Sequence, residues 1–136
     1  MLNTLKNHAE NLNSILELEG EEGQFEYLIE VGKKSLPLSE QDRVESNKMS
    51  GCLAQVWIKY NKEGEKNYFL GDSDALIVKG LVIIITEALS GLTNNQIKEL
   101  KHDMVDQLGL GPSLSARRQV GMMAMVNHIK IVTGVK

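Results

Sequence analysis

The segment Ala75–Leu89 is apolar almost all round, with Leu81-Val82-Ile83-Ile84-Ile85 at its centre. Taken alone, that central block has the β-branched composition of a strand. The whole segment is long for one strand, follows the helix-starting pair Ser73-Asp74 and ends before Ser90-Gly91. Lys79 and Gly80 would break a fully buried strand more than they disturb a helix end. The segment is read as a buried helix. The longest apolar block, Leu81 to Ile85, is far short of a membrane span.

The flanking sequence supplies the other layers. Leu2, Leu5, Ala9, Leu12, Ile15, Leu16 and Leu18 recur near the helical period, which predicts an amphipathic helix over 2–18. Gly20 and Gly23 bracket an acidic turn at Glu21-Glu22. A second helix follows, with Phe25, Leu28, Ile29 and Gly32 on one face, and stops before Pro37. The many glutamates here read as a solvated face, or else as a docking face for a basic partner. Residues 37–51 are polar and read as a long loop.

From Leu53 to Tyr60 the chain is rich in strand formers. Ala54, Val56 and Ile58 are expected on one side and Leu53, Gln55, Trp57 and Lys59 on the other. Asn61-Lys62-Glu63-Gly64 reads as a hairpin connection, and the return strand through Tyr68-Phe69-Leu70 ends at Gly71-Asp72. Thr93-Asn94-Asn95-Gln96 matches a capping box, opening a short helix with Ile97, Leu100 and Met104 inward. Gly109 and Gly111-Pro112 punctuate a break. A last helix runs from about Ser115 to Thr133, its methionines read as core filling.

With 136 residues, no internal repeat and no linker, the chain is expected to form a single domain, 1–136. Its one cysteine excludes an internal disulfide and cannot by itself build a Cys-rich metal site. A net charge of −3 argues against a general nucleic-acid binder. The first residues show no signal-peptide pattern. A cytoplasmic protein with no nucleic-acid or membrane partner is expected.

His8, His102 and His128 are isolated from one another and from any cysteine or carboxylate at metal-ligand spacing, so no metal site is expected. The chain has neither a Gly-rich phosphate loop nor a nucleophile elbow. Asp72 and Asp74 read as an acid pair or, more simply, as helix-capping residues. Cys52 stands apart. It lies at a loop-to-strand junction after Ser50-Gly51, and Arg43 and Lys48 are close in sequence and would favour a thiolate if they approached it. Position alone leaves both a reactive thiol and an inert buried one open. A thiolate with no second cysteine and no histidine base suits sulfur exchange better than hydrolysis.

The stretch Ser50-Gly51-Cys52-Leu53-Ala54-Gln55-Val56-Trp57 resembles the Gly-Cys-x-(Ser)-Gln-Val-Trp core of the SufE family of sulfur-acceptor proteins. Asp72-Ser73-Asp74-Ala75-Leu76-Ile77-Val78-Lys79-Gly80-Leu81 resembles the family's second block. Ser90-Gly91-Leu92-Thr93, Leu108-Gly109-Leu110, Leu114-Ser115, Arg118, Gly121 and Ala124-Met125 resemble its third. The blocks keep family order and spacing from roughly Gly32 to the C-terminus.

The resemblance implies an α+β fold, a small antiparallel β-sheet flanked by α-helices, related to the IscU scaffold, with a further short strand before Cys52. It implies a partner of a PLP-dependent cysteine desulfurase, SufS-like or CsdA-like, whose persulfide sulfur Cys52 accepts and passes to a SufBCD-like Fe–S scaffold complex. The PLP belongs to the desulfurase, and this chain is expected to bind no cofactor. The resemblance assigns Gly51 and Gln55 to loop support. Asp74 and Arg118 are assigned either to positioning the cysteine loop or to desulfurase contact, against a helix cap and an exposed helix charge as structural alternatives. Ala54 stands where the family usually has serine, which removes any loop hydrogen bond from that hydroxyl. Two other roles fit the same fold: a non-catalytic module regulating the desulfurase, and a sulfur relay to another pathway such as tRNA thiolation.

Overall fold

A computed structural model describes residues 3–49, 54–100 and 116–135, with side chains described over 4–49, 54–100 and 122–135. The elements are α1 (Asn3–Lys34), a 3-10 turn (Glu45–Asn47), β1 (Lys48–Met49), β2 (Val56–Glu63), β3 (Lys66–Ser73), α2 (Leu76–Leu89), β4 (Leu92–Thr93), α3 (Asn94–Lys98) and α4 (Ala116–Val132). The strands form one antiparallel sheet in the order β1-β2-β3-β4. This is the α+β architecture expected.

Helix α2 is the central element, packing against α1, β3, β2 and α4. Leu81, Val82, Ile84, Ile85 and Leu89 all lie in the core, which explains a segment with no polar face. Burial on every side, rather than the strand preference of its β-branched residues, decides its conformation. Helices α1 and α2 meet closely at Gly80, where a Cβ would overlap the backbone oxygen of Leu28. Only glycine lets α1 and α2 cross so tightly.

Helix α1 is broken at Gly20, whose φ of 76° and ψ of −165° are not helical. Its two arms fold against each other. Gln24 Nε2 donates to the Leu12 carbonyl at 3.0 Å, and His8 Nδ1 lies 2.7 Å from the Tyr27 hydroxyl. Leu5, Leu12 and Leu28 are buried, whereas Leu18, expected on the apolar face, is exposed because it precedes the break. The acidic turn is correspondingly shorter than expected, with helix resuming at once after Gly20.

The central hairpin pairs Val56–Glu63 with Lys66–Ser73, turning at Gly64 and Glu65. It is longer than the sequence pattern suggested, because Asn61, Lys62 and Glu63 extend the ladder although they carry no apolar pattern. The expected alternation holds along β2, yet Val56, Trp57 and Ile58 are all buried. The reason is a second cover. Part of the polar stretch 37–51, read as a long loop, is strapped over the face that α2 leaves open, with the Leu38 amide on Asp72, Asp42 on Lys59 and Arg43 over the Trp57 ring. Thr93 caps α3 as expected, with both hydrogen bonds of the capping box formed. Ile97, Leu100, Met122, Met125, Val126 and Ile129 are buried as expected. Met104 and the break near Gly109 lie outside the described residues.

Candidate functional site

Met49 of β1 pairs with Val56 of β2, and residues 50–55 connect them. Cys52, with Gly51, belongs to this connection and lies outside the described residues. By covalent reach, a residue three positions from Met49 stays within roughly 11 Å of it. The site is therefore built from the flanks of the connection.

Its C-terminal flank is Gln55, which is held through its backbone amide, its carbonyl and its side-chain Nε2. The Gln55 amide donates to Asp74 Oδ1 at 3.0 Å, and its side-chain Nε2 donates to Asp74 Oδ2 at 3.1 Å. The Gln55 carbonyl accepts from Ser73 Oγ at 2.7 Å and from the Asp74 amide at 3.3 Å. The end of β3 thus clamps the end of the connection. Asp74 is not the helix cap that its place before α2 suggested. The N-cap of α2 is Ala75, which has no capping side chain, while Ser73 Oγ accepts from the Ala75 amide at 3.2 Å. The Asp74 carboxylate reaches back across the sheet instead.

On the N-terminal flank the chain arrives from the strap. The centre here is Asp72, whose side chain is completely buried. Asp72 Oδ2 accepts from Arg43 Nε at 3.0 Å, Arg43 Nη2 at 2.6 Å and the Leu38 amide at 2.9 Å. Its Oδ1 accepts from the Ser73 amide at 2.8 Å and lies 3.7 Å from Lys79 Nζ. Burial is the largest single influence and pushes this carboxyl up; the Arg43, Leu38 and Ser73 hydrogen bonds and the Arg43 charge together outweigh it, leaving Asp72 below the usual carboxylate range. The Arg43 guanidinium also lies over the Trp57 ring, 5.2 Å from its centroid. Beside it, Asp42 Oδ2 accepts from Lys59 Nζ at 3.2 Å and the Asp42 carbonyl accepts from Asn47 Nδ2 at 2.9 Å.

These contacts revise the electrostatic expectation. Arg43 is not a free cation beside the cysteine, because its charge is matched by buried Asp72. Lys48 lies 3.8 Å from exposed Glu45, a surface pair of little weight. The acid pair Asp72 and Asp74 divides its work: one carboxylate holds the strap and the other holds Gln55. Arg118 stands in the first turns of α4, and its side chain lies outside the described residues.

Arg43, Lys79 and Ser73 complete a network that sequence reasoning did not assemble. Lys79 showed one sign of it, being a lone cation in an apolar segment. Among the described residues no cluster of His, Cys, Asp and Glu is arranged to hold a metal ion. No helix among them is long and apolar enough to cross a membrane.

Comparison with known proteins agrees with this arrangement. The model of the SufE family, described as an Fe–S metabolism associated domain, matches residues 9–133. An uncharacterized SufE-like protein of Synechocystis sp. is 41% identical over 98 residues, which are 72% of this chain and 62% of that protein. The chain thus spans less than two thirds of that relative. An uncharacterized SufE-like protein of Rhizobium etli is 37% identical over 114 residues, covering 80% of this chain and 77% of that protein. The solution structure of a hypothetical protein from Thermus thermophilus superposes with a TM-score of 0.75 over 98% of this chain and 96% of its own, at 20% identity, which supports the fold alone. The chain belongs to the SufE family and carries its Fe–S metabolism associated domain.

Proposed function

We propose that this protein is a sulfur acceptor: Cys52 takes the terminal sulfur from the persulfide of a PLP-dependent cysteine desulfurase, stimulates that enzyme and delivers the sulfur to iron–sulfur cluster assembly. The observation that carries the reading is the placement of the chain's single cysteine in a connection whose last residue, Gln55, is fixed by Asp74 and Ser73. A cysteine whose flanking residue is anchored to the sheet suits transfer to another protein. Association of the family with Fe–S metabolism gives the chemistry its context.

The reaction needs no oxidant or reductant. The Cys52 thiolate attacks the terminal sulfur of the partner's persulfide, a new sulfur–sulfur bond forms, and the old one breaks. The partner cysteine leaves as a thiolate, and the proton on the transferred sulfur stays with it. Cys52 then carries the persulfide to the scaffold. PLP acts in the desulfurase, and this chain needs no cofactor of its own. A lone cysteine suits a relay in the reducing cytoplasm, since it has no intramolecular partner with which to form a disulfide.

The test is mass analysis of the protein after incubation with a cysteine desulfurase, PLP and cysteine without reductant. One added sulfur on the Cys52 peptide, absent in Cys52→Ser, is the expected result. A Cys52→Ser variant that still stimulates the desulfurase, together with an unmodified wild type, would replace the acceptor role with the regulatory one.

A further inference from the structure

Two carboxylates at the end of β3, two positions apart, serve opposite flanks of the Cys52 connection. Asp74 holds the flank after it, through Gln55. Asp72 holds the chain before it, through Arg43 and the Leu38 amide. We infer that the Arg43–Asp72 pair is a positioning device for sulfur transfer, fixing the approach of the strap to β1 and so the point from which the chain enters the cysteine connection. This rests on the acceptor role proposed for Cys52.

The register shows why the strap needs such a device. Lys48, Trp57 and Asp72 stand in one row across β1, β2 and β3. β1 is only Lys48–Met49, at the edge of the sheet, so its own ladder does little to fix it. Arg43 closes over this row, with Nε and Nη2 donating to Asp72 and Cζ 5.2 Å from the Trp57 ring centroid. A planar guanidinium brings two N–H groups to Asp72 from a rigid fork beside the ring, a fork that an ammonium lacks. The strap has a further tie to β2, Lys59 to Asp42, that involves neither Arg43 nor Asp72.

The burial of Asp72 supports a geometric role. A carboxylate removed from water loses its solvation, and an apolar residue in the same place often serves stability equally well. What an apolar residue cannot supply is direction. Asp72 takes both a backbone amide from the start of the strap and the fork of Arg43, so it fixes two points of that segment relative to β3. Lys79, near Oδ1, leaves Oδ2 to these strap contacts.

The test compares wild type, Arg43→Lys and Arg43→Gln for persulfide transfer to Cys52 at rising desulfurase concentration. Arg43 is partly exposed, so both variants are expected to fold, as judged by circular dichroism. Tyr60→Phe, which loses a hydrogen bond to Asn67 farther along the hairpin, controls for general weakening of the sheet. The expected result is a transfer rate at saturating partner reduced roughly 10- to 100-fold in both Arg43 variants, the scale of a misplaced reacting group. The partner concentration giving half the maximal rate is expected to change by less than about threefold, which separates positioning from docking. The Tyr60→Phe rate should equal wild type.

Wild-type transfer with Arg43 variants inside about twofold of it at saturation overturns the positioning role and leaves the acceptor role standing. A loss matched by Tyr60→Phe overturns it likewise. A wild type that takes no sulfur from an active, bound desulfurase overturns the acceptor role and this inference with it.

Discussion

The carboxylate of Asp74 receives two donors from one residue, the backbone amide and the side-chain amide of Gln55, at 3.0 and 3.1 Å. This is a side chain imitating a strand pairing just past the point where the regular ladder ends. Asp74→Ala leaves both donors exposed to water rather than buried, so its expected effect is a loss of about 1 kcal/mol in urea denaturation with the fold retained. Gln55→Ala should not add to it fully. A double-mutant cycle is expected to give a coupling of about 0.5–1.5 kcal/mol, and full additivity would mean the clamp is not a shared interaction.

Gly80 gives a sharper prediction, because a methyl there meets backbone and not a movable side chain. With the Leu28 carbonyl occupying the place a Cβ would take, Gly80→Ala must push α1 away from α2. Thermal and urea denaturation should show a loss of about 1–3 kcal/mol or more, although alanine is the better helix former. An unchanged midpoint would show that the two helices have room to separate.

Acid should weaken the protein in two stages. Burial holds His8 and His128 below their ordinary 6.5, with Glu87 partly opposing this at His8. Well above 6.5 both are neutral folded and unfolded. As pH falls from 6.5 toward their lowered folded values, the unfolded chain binds more protons and stability drops. Asp72 acts later. Its folded carboxyl lies below the ordinary 3.8, so its contribution is complete above 3.8 and is lost as pH falls through the folded value. Urea midpoints measured across mildly acidic pH should decline first, and the double variant His8→Gln/His128→Gln should flatten that stage while leaving the lower one.

Thr93 accepts from the Gln96 amide, and Gln96 Oε1 accepts in return from the Thr93 amide. Thr93→Ala is expected to lower stability by about 1 kcal/mol, and Thr93→Ser by much less, since serine keeps the cap. Chemical denaturation decides it: equal losses for the two variants would mean the threonine methyl, and not its hydroxyl, matters at this helix start.

What was legible in the sequence was local. The capping box at Thr93, the break near Gly20 and the burial of the apolar block Leu81–Ile85 all follow from residues within a few positions of one another, whereas Leu76, at the start of the same segment, is exposed. Strands β1 and β4 carry no such signal. Each is only two residues long, and each exists because a neighbouring strand was there to receive it. The β1 strand came only from the family resemblance, and β4 was not anticipated.

The site divides in the same way. Gln55 and Asp74 stood out as candidates, but nothing in the sequence joined residues 19 positions apart. Arg43 and Asp72 are 29 apart, and Arg43 lies in a stretch whose polarity reads as solvent-exposed loop. Its buried partner is a carboxylate whose place in the sequence suits a helix start. Asp74 shows the same competition: a helix-start residue by type and position, it was claimed by a strand neighbour before the helix began.

The ring that Arg43 covers is the only indole in the chain, 7% exposed in the folded protein. Its emission therefore reports on one place. If a docking protein lifts the strap, water reaches Trp57, the cation over its ring departs, and the fluorescence shifts to the red. Any binding that moves the strap can thus be timed by stopped-flow optics with no attached dye, provided the added protein's own tryptophans are replaced or silent.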